Sequence, residues 1–376
     1  MSSEITLEVK HKRNNPRNSE GAFITLADGR IMFAYSRYYG SSWSDVATAT
    51  ISARFSSDGG KTWSKRDKLL VDNEGECNVM SPSLLRLKDG RIALFYLRTN
   101  NFHDCRMYMR TSGDEGKSWS ESTQCINAPG YFVVNNDRVM RLANGRIVIP
   151  AAYHRPKLEA NPSSWDAWDF RAITLFYYSD DEGLTWNESR DWWSLPVYSE
   201  SGMQEPGVIE LSDGHLYAWA RTDTGKQWET ESFDSAVTWS PPRPSPFHSP
   251  NASLSMKRLD ARGDLLAIWN DYSPHWALAK PVVGNGFSKN SSWGRTPLVL
   301  ALSDDEGKSW KRKKLIEDDP RRGFCYTAIH SVDDAVLLAY CCGGVKSGVL
   351  QDLCIRRITL DGLYGEVDEC VNANSR

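Results

Sequence analysis

The chain has 376 residues, of which 45 Lys and Arg stand against 48 Asp and Glu, a formal net charge of −3. That balance excludes the broad basic footprint of a nucleic-acid partner, and no run reaches the roughly 18 apolar residues of a membrane-crossing helix. The 8 Cys follow no metal-ligand spacing and fall mostly in apparent strands, so they are expected as reduced core residues; with no charged-then-apolar leader after Met1, they point to the cytoplasm, or to a secreted or periplasmic protein if the chain is trimmed.

In chain order, Ile5-Thr6-Leu7-Glu8-Val9 comes first, a strand expected to pair with the end of the chain. Ala22-Phe23-Ile24-Thr25-Leu26 and Ile31-Met32-Phe33-Ala34-Tyr35 then flank Asp28-Gly29-Arg30. Asp-Gly between two apolar runs is the strongest short-range hairpin signal. The same device returns at Asp89-Gly90-Arg91, Asn144-Gly145-Arg146 and Asp213-Gly214-His215, and in weaker form at Arg262-Gly263-Asp264 and Asp333-Asp334-Ala335. These six hairpins start at intervals of roughly 50 to 70 residues.

An octet is interleaved with them. Ser56-Ser57-Asp58-Gly59-Gly60-Lys61-Thr62-Trp63 recurs as Ser112-Gly113-Asp114-Glu115-Gly116-Lys117-Ser118-Trp119, as Ser179-Asp180-Asp181-Glu182-Gly183-Leu184-Thr185-Trp186 and as Ser303-Asp304-Asp305-Glu306-Gly307-Lys308-Ser309-Trp310. Ser232-Phe233-Asp234-Ser235-Ala236-Val237-Thr238-Trp239 is a decayed copy. Asp and Ser side chains can bond nearby amides, Gly accepts a positive φ, and the Trp ring is expected to fold back on the turn and close a small satellite core. Each unit is thus two hairpins, or four antiparallel strands. Six units predict an all-β, six-bladed β-propeller forming a single domain over residues 1–376, with Leu353-Cys354-Ile355-Arg356-Arg357-Ile358 closing the ring on the first strand. Residues 157–169 are expected to form a long loop, and only short helical turns are expected.

The chain has no phosphate-binding loop, dinucleotide fingerprint, His-Glu-x-x-His or Gly-x-Ser-x-Gly. Polar groups gather instead where strands end on the side opposite the turns. Glu205 lies in Met203-Gln204-Glu205-Pro206-Gly207 and Arg221 in Arg221-Thr222-Asp223, flanking one hairpin. Arg295 opens the strand before the last octet and Tyr326 the sixth hairpin, while Asn135-Asn136-Asp137-Arg138 opens the third. Trp43, Asn78, His154 and Gln227 occupy comparable loop ends. The 15 Trp and 15 Tyr leave aromatic rings to spare for stacking on sugar faces.

The octets resemble the Asp boxes of the sialidase (neuraminidase) superfamily, a six-bladed fold, and the order of polar landmarks is similar to that family's catalytic set over nearly the whole chain. The resemblance implies a retaining exo-α-sialidase-like hydrolase that needs no metal or organic cofactor and takes an acidic glycan or sialoside. In it Tyr326 is the nucleophile, Glu205 its base and Asp45, in Ser41-Ser42-Trp43-Ser44-Asp45, the acid. Arg221 and Arg295 match two of the three carboxylate-binding arginines. By their positions alone, Arg138, Trp43, Asn78, His154 and Gln227 are further candidate substrate contacts, with a structural ion pair the alternative for Arg138. The family's Phe-Arg-Ile-Pro is absent; Arg17 in Asn15-Pro16-Arg17-Asn18 is the candidate for the first arginine, with Arg13 and Arg37 as substitutes. That departure suggests a divergent, bacterial-type branch. It leaves two alternatives: a glycosidase or lyase for another acidic sugar (Kdo, deaminated sialic acid, a uronic acid), or a non-catalytic carbohydrate-binding propeller. A tyrosine suits an anionic substrate because a phenol, unlike a carboxylate, is not repelled by it.

Overall fold

A computed structural model describes residues 2–276, 292–344 and 347–365. The architecture is an all-β propeller; its helical segments are Trp165–Ala167 in the long predicted loop and Leu360–Tyr364. Four antiparallel sheets have four strands each: Asn18–Thr25 to Lys68–Val71, Gln204–Glu210 to Arg243–His248, Ser255–Arg258 to Lys311–Glu317, and a last sheet that begins at Cys325–Val332. That last sheet takes Ser3–Val9 as its outer strand, paired with Leu353–Thr359 in the register Glu8↔Cys354 and Val9↔Leu353. The two ends of the described chain therefore share one sheet, as the sequence suggests.

The expectation of six separate blades is corrected, because the second and third predicted units belong to one nine-stranded sheet. Strand Tyr131–Val133 joins them: Tyr131 pairs in parallel with Cys105 of one unit and antiparallel with His154 of the other. The inner strand of the third unit is correspondingly cut to Met140–Arg141.

All six predicted turns join paired strands, as in Thr25↔Ile31 and Glu210↔Leu216. The octets also form their predicted turns. In the first, Gly60 N donates to Ser56 Oγ at 2.9 Å and Thr62 N to Asp58 Oδ1 at 2.9 Å. The decayed copy keeps both bonds, with Ala236 at φ 71 where the others have glycine. The Trp does more than close a satellite core. Trp239 stacks on Phe176 of the preceding unit at 3.7 Å and shares a buried cluster with Val148, Val208 and Leu216. Octet glutamates link the same units electrostatically. Glu115 takes Arg86 of its own hairpin at 2.6 Å and the Ala27 amide of the previous turn at 2.8 Å. Glu182 repeats this with Arg141 and Lys88 N, and Glu306 with Arg258 and Ser212 N. The decayed octet has no such Glu, and Glu210 takes the Ala143 amide instead at 2.6 Å.

The innermost strands carry the feature that builds the site. Their registers break at Ser19/Gly21, Met80/Ser83, Gln204/Gly207 and Cys325/Ala328. Within each break one side chain sits on a left-handed backbone: Glu20 at φ 49, Ser81 at 55, Glu205 at 46 and Tyr326 at 60. Such bulges re-aim side chains and persist where the surroundings hold them. All four residues line the same cavity.

Candidate active site

The cavity encloses about 360 Å³ at the strand ends opposite the turns. Its reactive floor is made by two of the bulges. Tyr326 Oη donates to Glu205 Oε1 at 2.9 Å, and Arg221 Nη1 reaches Glu205 Oε1 at 2.6 Å and Tyr326 Oη at 3.2 Å. Arg221 ends strand Leu216–Arg221 directly opposite Gln204, and its Nε is fixed by Asn251 Oδ1 at 2.6 Å. Arg295 lies alongside, its guanidinium 5.1 Å from the Tyr326 ring centroid, with Nη1 donating to Cys325 Sγ at 3.0 Å. Arg295 is buried, and no carboxylate lies within ion-pair distance of it among the described residues.

Charge in this floor is sharply sorted. Burial works against the Glu205 charge, but Arg221, Ser253 and Arg295 outweigh it and hold the carboxyl below its ordinary range. Burial, and then the Glu205 charge, push the Tyr326 phenol upward, so it keeps its proton and donates it to Glu205.

A second cluster is built around Arg17, which pairs with two carboxylates. Arg17 is fully buried under the Ser42–Asp45 loop, with Nη1 on Asp45 Oδ1 at 2.5 Å, Nη2 on Glu20 Oε1 at 2.9 Å and Nε on Ser19 Oγ at 2.8 Å. Of the three candidates for the first arginine, only Arg17 bonds residues that line the cavity, Asp45 and Glu20, and it does not border the cavity itself; Arg13 is exposed and Arg37 pairs with Asp67 at 3.4 Å. Burial raises the Glu20 carboxyl, against the pull of Arg17.

Asp45, Trp43 and His154 line the cavity as the sequence proposes. Burial lowers His154 to about 4, so its imidazole is neutral near pH 7. His154 Nδ1 lies 2.9 Å from the Asp169 carbonyl and must be the donor there, which leaves Nε2 as an acceptor.

Three proposed contacts stand elsewhere. Asn78 acts from behind, donating to the Asp45 carbonyl at 2.6 Å and that of Ala47 at 2.8 Å. Gln227 is fully buried and donates to Ser249 Oγ and Ala252 O. Arg138 spends its guanidinium on Leu254 O at 2.6 Å and lies against Trp219. Buried polar groups at strand entries need partners, and in these three the partners are backbone and neighbouring side chains. Neither Gln227 nor Arg138 borders the cavity.

Two further elements are absent from the sequence-derived set. One is Glu20. The other is an aromatic cluster of Tyr131, Trp165, Trp168 and Phe170, which lines the cavity together with Met80 and Leu97. The Trp-Asp-Ala-Trp run at 165–168 in the long loop is the one signal that could have pointed to it. Among the described residues no group of three or more His, Cys, Asp or Glu is arranged to hold a metal ion.

A family model described as the BNR repeat-like domain matches residues 45–338. The anhydrosialidase of Macrobdella decora is 23% identical over 305 residues, covering 74% of this chain. The match takes in 36% of that relative, so the chain spans about a third of its length. Among solved structures, the leech intramolecular trans-sialidase with 2,7-anhydro-Neu5Ac is similar at a TM-score of 0.70 and 16% identity, covering 98% of this chain and 71% of that one. The Ruminococcus gnavus intramolecular trans-sialidase with oseltamivir carboxylate gives 0.68 and 15%, covering 96% and 98%. A Dyadobacter fermentans protein of unknown function gives 0.69 and 18%, covering 95% and 99%. At these identities the structural likeness speaks for the fold, a propeller shared with sialidases. The family match runs over well more than half of the sequence, from the Asp45 loop through the sixth hairpin, and the chain belongs to the BNR repeat-like domain family.

Proposed function

We propose that the protein is a retaining, exo-α-sialidase-like glycoside hydrolase that removes a terminal acidic sugar, sialic acid first, through Tyr326. The observation that carries this is the 2.9 Å Tyr326–Glu205 hydrogen bond beside two buried arginines in one cavity. A buried guanidinium without a carboxylate, Arg295, calls for an anionic ligand. The aromatic side chains that line the same cavity suit the apolar face or acyl branch of the same sugar. In this reading the nine-stranded sheet is two blades zipped together by Tyr131–Val133, giving six in all.

The chemistry follows from the proton positions. Tyr326 Oη attacks the anomeric carbon as its proton passes to Glu205 Oε1, and the leaving oxygen takes a proton from Asp45. Water then attacks the glycosyl-tyrosine, giving a proton to Asp45 while the departing phenolate recovers its own from Glu205. Tyrosine is normally a poor nucleophile, with a pKa of about 10. Arg221, 3.2 Å from Oη, stabilises negative charge there as it develops. Arg17, outside the cavity lining, holds Asp45 in an ion pair, so Asp45 must leave that pair and take up a proton before it donates.

A second reading, another acidic sugar such as Kdo, a deaminated sialic acid or a uronic acid, is favoured by one observation: Arg17 already carries two carboxylates, Glu20 and Asp45. Release of 4-methylumbelliferone from its sialic acid conjugate, with Tyr326→Phe as control, tests the first reading. Turnover by the native chain alone supports it. Silence from both, with turnover on a ulosonic or uronic acid glycoside, selects the second; binding without turnover on any of them makes the protein a carbohydrate-binding propeller.

A further inference from the structure

Glu205 has a second oxygen that the reaction above does not use. Oε1 receives Arg221 and Tyr326, whereas Oε2 meets the hydroxyl of Ser253. Ser253 is buried and does not border the cavity. Its own oxygen accepts from Asn135 Nδ2 at 3.1 Å, and Asn135 Oδ1 accepts the Asn136 amide at 2.8 Å.

The direction of every bond in this chain is forced. A backbone N–H can only donate, so the Asn135 oxygen faces Asn136 and its NH₂ faces Ser253. With its oxygen occupied by that donor, the Ser253 hydroxyl turns its single proton to Glu205, whose ionised carboxylate can only accept. The relay therefore runs Asn136 N–H to Asn135, Asn135 to Ser253, and Ser253 to Oε2.

We propose that Ser253, oriented by Asn135, is the positioning residue for the base: it pins Oε2, so that Oε1 points to Tyr326, and it stabilises the ionised form of Glu205. This rests on the reading of Glu205 as base. The need for it comes from the backbone. Glu205 sits on a bulge with a left-handed φ of 46, and a carboxylate held on one oxygen alone could rotate about its terminal torsion. The relay passes through Asn135, which borders the cavity, so the base is tied to the cavity wall.

The test is the ionisation of Glu205 itself, followed by carboxyl 13C NMR on glutamate-labelled full-length protein, assigned with Glu205→Gln and paired with the pH profile of kcat/KM. In Ser253→Ala the Glu205 midpoint and the acid limb should both rise by roughly one to two pH units, with kcat down about tenfold. Ser253→Thr, which keeps the hydroxyl, should restore both, and Asn135→Ala should give a smaller rise of the same sign. If Ser253→Ala fails to fold, the Asn135→Ala shift decides. An unmoved Glu205 midpoint in the folded variants overturns the proposal, whatever happens to turnover. A moved midpoint in a protein that turns over no acidic glycoside leaves Ser253 in place and removes the catalytic reading instead.

Discussion

Tyr326 and Glu205, 121 residues apart, meet at 2.9 Å because each lies in a bulge of its own innermost strand, with a left-handed backbone at both. A regular strand would turn alternate residues to opposite faces. Here two irregular residues, from different sheets, are both turned into one cavity. The reactive pair is thus a product of broken pleating as much as of residue choice.

Tyr326→Phe removes one oxygen from this pair. We expect kcat on a sialoside to fall roughly 10³-fold or more, while the Kd of an unreactive anionic analogue changes only a few-fold, since Arg221 and Arg295 remain. Steady-state kinetics and calorimetry separate the two. Retained turnover would refute the assigned nucleophile.

Glu205 acts as an acceptor, so activity requires its ionised form. Its carboxyl is held below the usual carboxylate range, against burial, by Arg221, Ser253 and Arg295. The acid limb of kcat/KM should therefore lie below the ordinary glutamate value and be lost in Glu205→Gln. Sodium chloride will shift it little, because the charges involved are buried.

Asp45 donates to the leaving oxygen, and its importance depends on how much help that oxygen needs. Asp45→Ala should slow an alkyl glycoside by roughly 10²–10⁴-fold. The effect on an aryl glycoside with a good leaving group should be far smaller. Equal losses on both substrates would remove Asp45 from the acid role.

His154 makes stability depend on pH. Its value is about 4 in the fold against 6.5 for the free side chain. Above 6.5 both states are neutral and the fold is favoured in full; as pH drops toward 4 the unfolded chain takes up a proton that the fold refuses, and stability is lost. The full term is about 3 kcal/mol. Urea unfolding at pH 7 and 4.5 should show most of that difference in the native protein beyond that in His154→Gln.

Turn chemistry made the fold legible: Asp-Gly pairs and octets are local devices, and they form wherever their residues occur. Ring closure by Ile5–Val9 and the landmarks Tyr326, Glu205, Arg221, Arg295 and Asp45 were legible too, the latter through their order along the chain. Glu20 was not, because strict alternation reads it as a strand residue until the Ser19/Gly21 bulge turns it inward. Arg138 and Gln227 misled for the opposite reason: polar side chains at strand entries look functional, yet Arg138 Nη2 donates to Leu254 O and Gln227 Nε2 to Ser249 and Ala252, away from the cavity. The nine-stranded sheet escaped prediction because the strand that fuses it is three residues long.

The pairing of Ser3–Val9 with Leu353–Thr359 also sets an order of events in the cell. During synthesis this strand emerges long before its one neighbour in that sheet among the described residues, and the nascent chain must carry it as an unmatched edge through the making of the intervening sheets. Exposed edges of this kind invite pairing with other chains. The Lys and Glu side chains around it, Glu4, Glu8 and Lys10, are then a safeguard for the waiting period, keeping the strand in water until translation supplies its partner.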